Sequence, residues 1–83
     1  MSERMIFQAK KLELERDIEE NEMIASAIRL SIRQKLPSEA IEPDSTKINT
    51  KKLIHLVSDL HSKVERIKEL KEQLDKVNKE LGF

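Results

Sequence analysis

Two histidines, His55 and His61, are the side chains of this sequence best suited to metal binding or to proton transfer near neutral pH. They lie six residues apart, so on a helix of 3.6 residues per turn they point about 240° apart and cannot share a metal within one chain. His61 and Glu65 lie four residues apart, but a solvated histidine beside an acidic neighbour is the simpler interpretation. The chain has no cysteine and no Glu-x-x-His pair. We therefore predict no metal site and no cofactor.

A run of acidic residues is the other candidate for catalysis or for calcium binding. The run lacks the alternating ligands and the glycine of a calcium loop, and on a helix its carboxylates point in several directions. The single glycine of the chain also excludes a glycine-rich phosphate-binding loop. A solvated helix face accounts better for these residues, and we predict no catalytic residue and no enzymatic activity. The run consists of Glu13, Glu15, Asp17, Glu19, Glu20 and Glu22.

Basic side chains gather near the middle of the chain, where they could bind a phosphate group or an acidic partner. Arg29 and Arg33 lie four residues apart and share a helix face, and Lys51 and Lys52 follow shortly after the second proline. Nearby acids can neutralise these charges, and no aromatic side chain accompanies them for base stacking. The sixteen basic and sixteen acidic residues of the chain also cancel, so no net field attracts nucleic acid. A small nucleic-acid-binding regulator that uses this basic end is therefore an alternative function, not the preferred one.

A seven-residue apolar repeat indicates the element that must position these residues. An aliphatic residue recurs at every seventh position from Leu53 to Leu81. Val57 and Val64 lie in the intervals between the first three of these residues. Such a repeat forms one narrow stripe on a helix, and the stripe needs a partner helix. After Ile67, Leu70 and Val77 flank the stripe instead, which predicts that the stripe drifts around a fairly straight helix. The predicted contact residues are Leu53, Val57, Leu60, Val64, Ile67, Leu74 and Leu81.

The N-terminal part of the chain carries a matching but poorer stripe. Its apolar members toward the N-terminus are Phe7, Leu14 and Ile18, and the polar residues Lys11 and Asn21 interrupt it. A buried asparagine in such a stripe can set the register and the oligomeric state of paired helices. Asn21 is therefore the candidate register residue. The alternative is that Asn21 lies half-solvated at the edge of the stripe.

Capping residues and prolines divide the chain into two helices. Pro37 stops the first helix, and Asn49 caps the second. Gly82 can end the second helix in the left-handed conformation while Phe83 contacts the last turn near Val77. We predict a single domain over residues 1–83, with a helix at about 3–36, a connector at 37–49 and a helix at about 50–81. Because the chain ends on its own helix cap, we also expect it to be complete.

Two helices of nearly equal length with one connector predict an all-α fold, an antiparallel coiled-coil hairpin. In this hairpin we expect Ile18 near Ile67, Ile32 near Ile54, and Phe7 near the C-terminal turn. The two stripes then form the line of contact within the chain.

The apolar surface of the first helix widens toward its C-terminal end, beyond what one partner helix covers. Two hairpins stacked into a homodimeric four-helix bundle would bury this surface. We therefore predict that the chain self-associates. The predicted self-association residues are Met23, Ile24, Ala27, Ile28, Leu30 and Ile32.

These patterns predict a non-enzymatic protein–protein interaction module that acts as a small adaptor, regulator or assembly factor. Its partners would be a second copy of itself and another protein whose identity the sequence leaves open. A subunit of a hetero-oligomeric coiled-coil complex, whose partner helices replace the second copy, is a further alternative. No apolar run approaches the roughly 20 residues needed to span a bilayer, and we expect no membrane partner. We expect a cytoplasmic location, because the chain lacks cysteine and the apolar core of a signal peptide.

Overall fold

A computed structural model describes residues 2–82 of the protein. Helix α1 spans Glu3–Lys35 and helix α2 spans Thr50–Leu81, with a short 3-10 helix at Ser45–Lys47 between them. The two long helices pack against each other, and the described part of the chain contains no strand. The predicted all-α hairpin is therefore confirmed, whereas the contact predicted for Phe83 lies outside the described residues.

Polar caps begin both helices, as the sequence indicates. The Ser2 hydroxyl accepts a hydrogen bond from the Met5 backbone N–H at 3.3 Å, and the Asn49 side chain accepts one from the Lys52 N–H at 3.1 Å. Each bond goes to an N–H group of the first helical turn, which has no carbonyl partner four residues earlier within its own helix.

The two helices end for different reasons. α1 ends at Lys35 because Leu36, which precedes proline, leaves the helical region with φ −124° and ψ 72°. α2 ends where Gly82 adopts φ 86°, and the Gly82 N–H donates to the Lys79 carbonyl at 3.2 Å. A side chain at this φ would be strained, which explains why the one glycine of the chain stands here.

Hydrogen bonds order the connector between Leu36 and Asn49. The Ser38 carbonyl accepts N–H groups from Ile41 at 3.0 Å and from Glu42 at 2.9 Å, which makes a single helical turn. The Asp44 carboxylate accepts the Thr46 hydroxyl at 2.7 Å and the Thr46 N–H at 3.0 Å. The hydroxyl bond, and then the backbone bond, hold the pKa of Asp44 below its ordinary value of 3.8.

The best-packed part of the core lies at the end of the hairpin that contains both chain termini. Leu14 of α1 packs among Leu70, Val77 and Leu81 of α2, and Phe7, Ile18 and Leu74 surround this cluster. The Arg4 guanidinium donates to the Leu81 carbonyl at 3.5 Å across the same end. These contacts join the start of α1 to the end of α2, so the helices run antiparallel. The hairpin is a rod of 62 × 18 × 17 Å.

Candidate protein-interaction surface

The line of contact between the two helices, here called the seam, contains most of the residues that the repeats predict. On α1, Leu14 and Ala25 are buried, whereas Phe7, Ile18, Ile28 and Ile32 are half-buried. On α2, Ile67 and Leu81 are buried, whereas Leu53, Leu60 and Leu74 are half-buried.

Val57 and Val64 are exceptions, because both are exposed, and Val57 retains 52 % of its accessible surface. The seam instead contains the residue three positions after each of the first four residues in the series that starts at Leu53. Of these, Leu56 and Lys63 are half-buried, and Leu70 and Val77 are buried. On a helix of 3.6 residues per turn, positions three and four residues along lie on opposite sides of the stripe. The interpretation of a drifting stripe is therefore wrong. The seam of α2 keeps the same two seven-residue series of positions from Leu53 to Leu81. The second series was not recognised in the sequence because Lys63 interrupts it with a polar residue.

Near the connector, the expected partner of Ile32 does not face the seam. Ile32 lines a small cavity together with Leu60, not with Ile54. Ile54 points outward and is 68 % exposed. Toward the chain termini the expected neighbourhood is found, since Phe7 and Glu80 line the same cavity.

The two ends of the hairpin differ in how well the seam excludes solvent. We call residues 3–22 and 65–81 the terminal half, and residues 23–35 and 50–64 the connector half. Ala25 is the only buried residue of the connector half, and the large apolar seam residues there are half-buried. Exposed apolar side chains are correspondingly concentrated at that end. Those of the connector half are Met23, Ile24, Leu30, Ile54, Val57 and Val64.

A shallow groove on α2 collects several of these side chains. The groove has a volume of about 630 Å³ and is open to solvent. Its surface is almost entirely apolar. We call it the connector groove; it is lined by Thr50, Leu53, Ile54, Val57, Ser58 and His61.

A basic cavity lies on the same end of the hairpin, between the two helices. Arg29 and Arg33 line it together with Ile32 and Leu60, in a volume of about 300 Å³. The two arginines therefore share a face, as their spacing predicts. Lys51 and Lys52, the other candidates for anion binding, are exposed in the first turn of α2. The open end of the seam is thus bordered by positive charge.

The predicted self-association residues of α1 do not form one wide face. Ile28 and Ile32 are half-buried in the seam, and Ile24 lies exposed at its edge. Met23, Ala27 and Leu30 are exposed on the opposite side of the helix. The helical angle explains this division, because Met23 and Leu30 lie about 140–160° from Ala25, which is buried in the seam. α1 therefore has two separate apolar faces, and only one of them is used within the chain.

The candidate register residue and the two histidines have a local partner or face solvent, whereas one further asparagine does not. Asn21 is half-buried, and its side-chain amide donates to the Asp17 carbonyl of its own helix at 2.8 Å. Asn78 is half-buried beside the seam, and its side-chain oxygen is buried without a hydrogen-bond partner in the described structure. His55 and His61 are both exposed. Within residues 2–82, no group of three or more His, Cys, Asp or Glu side chains is placed to hold a metal ion.

Sequence reasoning missed Leu56 as a seam residue and missed the outward position of Met5 and Leu12 on α1. The first could have been found from the seven-residue spacing of Leu56, Leu70 and Val77, which only Lys63 interrupts. The outward position of Met5 and Leu12 could be predicted only after the seam residues of α1 were known.

Among the described residues, no helix is both long and apolar enough to cross a bilayer. Comparisons with protein-family models, with curated proteins and with solved structures give no match for this chain.

Proposed function

We propose that the protein is a non-enzymatic interaction module that binds an amphipathic helix of another protein at the connector half and that also self-associates. The observation that carries this proposal is the connector groove, an apolar surface that continues the seam and is left open by the chain itself. Burying one such side chain contributes roughly 1.5–3 kcal/mol. Ile54 and Val57 retain 68 % and 52 % of their accessible surface, so each offers part of this gain to an apolar partner.

The charges around the connector groove support an acidic partner. Residues 23–35 of α1 include Arg29, Arg33 and Lys35 and no acidic residue. An amphipathic helix that lays leucine or isoleucine side chains into the groove would bring its flanking residues near the arginines. Glutamate or aspartate at those flanks would complement them and would increase the association rate. An adaptor, a small regulator or an assembly factor would use such a surface, and the absence of cysteine is consistent with work in the cytoplasm.

A synthetic peptide tests the proposal directly. The probe is a helical peptide with leucines at positions i, i+3, i+4 and i+7 and glutamates on both flanks. We expect it to shift the amide NMR signals of Leu53, Val57 and Leu60 in the uniformly labelled protein. A control peptide with lysine in place of each glutamate has the same apolar face and should bind at least about tenfold more weakly, which corresponds to about 1.4 kcal/mol.

Two exposed isoleucines provide a matched pair of variants. Ile54→Glu places a charge in the connector groove, whereas Ile6→Glu places the same charge in the terminal half. We expect the first variant to lose peptide binding and the second to keep it, with both retaining the wild-type circular dichroism spectrum. Equal binding by both variants, or equal affinity for the two peptides, would contradict the proposal. Binding of DNA or RNA at low salt, with no binding of either peptide, would support the nucleic-acid alternative instead.

A further inference from the structure

The outward face of α1 carries a stripe of apolar residues that no part of the described chain covers. We call it the outer stripe. Its members lie within an arc of about 60° on the helix, on the side away from Leu14 and Ala25. All of them are exposed, with Met23 at 67 % and Leu12 at 64 %. The outer stripe consists of Met5, Ala9, Leu12, Met23, Ala27 and Leu30.

The outer stripe reads nearly the same in both directions along the helix. Met5 and Leu30 are equally far from the midpoint between residues 17 and 18, and Leu12 and Met23 are also equally far from it. Ala9 and Ala27 match to within one residue, so small side chains oppose small ones. The stripe extends over about 38 Å of α1 at 1.5 Å per residue.

We propose that α1 pairs with α1 of a second copy, antiparallel, about a two-fold axis at this midpoint. A two-fold interface requires one surface to be its own complement, and the outer stripe meets this condition. In the pair, each large side chain of one copy lies level with a large side chain of the other. This inference specifies the surface for the self-association in the proposed function and therefore rests on it.

Charge decides between the antiparallel pair and a parallel one. Arg16 lies in the middle of the same arc, and Glu19 and Glu20 lie at its two edges. In the antiparallel pair, Arg16 of each copy lies level with Glu19 of the other, so opposite charges meet on both sides of the axis. A parallel pair would place Arg16 beside Arg16 and Glu19 beside Glu19, which is unfavourable.

The pair leaves the connector groove free. Leu12 lies nearest to α2, since it lines a small cavity together with Leu81. The other members of the outer stripe lie on the side of α1 away from the seam, and the groove lies on α2, so the order of helices is α2, α1, α1 and α2 across the dimer. This arrangement differs from the predicted four-helix bundle. In that bundle, one wide apolar face of α1 would be buried in a single core, whereas here the seam and the outer stripe are two separate contacts. The protein then presents two connector grooves, one at each end of the rod, to partner helices.

The acidic residues near the axis predict how the pair responds to salt. Six acidic residues lie between Glu13 and Glu22, against the single base Arg16. Two copies therefore bring like charges together around the central Arg16–Glu19 pairs. Added salt screens this repulsion, with a Debye length that falls from about 10 Å at 0.1 M to about 3 Å at 1 M. We expect dimerisation to tighten several-fold over that range.

Introduced cysteines test the proposal, because the chain has none of its own. Leu12→Cys and Met23→Cys are prepared as separate single variants, and each is treated with a short bifunctional maleimide alone and in an equimolar mixture. We expect the mixture to give at least about tenfold more covalent dimer than either variant alone, and mass spectrometry should identify the residue 12 to residue 23 link. Val57→Cys, in the connector groove, serves as the control and should not cross-link.

The possible outcomes separate this inference from the proposed function. Efficient cross-linking of each single variant with itself indicates a parallel pair and overturns the antiparallel one. Cross-linking of Val57→Cys without the residue 12 to residue 23 link places the interface on α2, which overturns this inference but leaves self-association standing. A wild-type protein that sediments as a monomer at all protein and salt concentrations overturns self-association. The proposed binding of a partner helix is then tested separately by the peptide experiment at the connector groove.

Discussion

The terminal half and the connector half of the hairpin use the same two helices in opposite ways. In the terminal half, Leu14 is enclosed by Leu70, Val77 and Leu81, and almost no apolar surface of this cluster reaches solvent. In the connector half, the large seam residues are half-buried and a further set of apolar residues is exposed beside them. The difference indicates that the end with the chain termini contributes most of the buried core, and it supports the proposal that a partner binds at the other end.

Composition explains why the two halves differ. In the terminal half of α2, apolar residues occupy the seam positions and charged residues occupy nearly all of the rest, so one partner helix buries the whole stripe. In the connector half, α2 has apolar residues both three and four positions after Leu53, and Val64 four positions after Leu60, so its apolar face is wider than one helix can cover. Leu56 enters the seam, and Val57 remains outside.

Removing a leucine from the sealed cluster should have the largest effect. Leu70 is 1 % exposed, so Leu70→Ala deletes buried methyl groups and leaves a cavity, at a cost of about 2–5 kcal/mol. That is a large share of the roughly 5–15 kcal/mol that small domains have in total. Urea denaturation followed by circular dichroism measures the loss. Leu53→Ala, in the half-buried part of the seam, should cost clearly less, and an equal cost would contradict the division into two halves.

Two valines of α2 allow the same comparison with identical chemistry. Val77 is buried in the terminal cluster, whereas Val57 is exposed in the connector groove. Val77→Ala should lower the free energy of unfolding by about 1–2 kcal/mol, because two methyl groups leave a packed site. Val57→Ala should lower it by less than about 0.5 kcal/mol and should weaken peptide binding instead. If Val57→Ala destabilises the protein as much as Val77→Ala does, the groove belongs to the folding core.

Replacing polar seam residues by leucine should have smaller effects on stability than the alanine substitutions, and these effects should be stabilising. Asn21→Leu should raise the thermal midpoint, since an apolar side chain replaces an amide at a half-buried position. It should also produce a mixture of species in light scattering if Asn21 sets the register. Lys63→Leu is the matched control, because it replaces the polar seam residue of α2 and should raise the midpoint without changing the species. A single unchanged species in Asn21→Leu would remove the register role.

The smallest effect concerns the pH response of the connector. The pKa of Asp44 is lowered, so this group contributes stability that is present above its unfolded value of 3.8 and is lost as the pH falls through the lower folded value. A carbon-13 NMR titration of the Asp44 carboxyl should show this direction. Thr46→Val removes the hydroxyl, the larger cause, and should raise the pKa of Asp44 without restoring the ordinary value, because the backbone N–H remains. No change in Thr46→Val would show that the hydroxyl bond is not formed in solution.

Local sequence was sufficient to predict the elements and their pairing. Ser2 and Asn49 carry side-chain acceptors that cap a helix, Pro37 disfavours a helical residue before it, and Gly82 permits the left-handed end. These effects act over a few residues and need no tertiary contact. The seven-residue stripes on two helices of similar length then require an antiparallel hairpin, since neither stripe can remain in water.

The tertiary structure decided which residues enter the seam in the connector half. Leu56 and Val57 both lie beside the line from Leu53 to Leu60, and Lys63 interrupts the seven-residue spacing that favours Leu56. The packing of the two helices buries part of Leu56, and it leaves Ile54 outside, where that side chain is 68 % exposed. The outer stripe follows from the same choice, because the outward side of α1 is defined only once its inward side is known. A periodic pattern therefore predicts that a helix has a buried face, but the partner helix determines which residues form it.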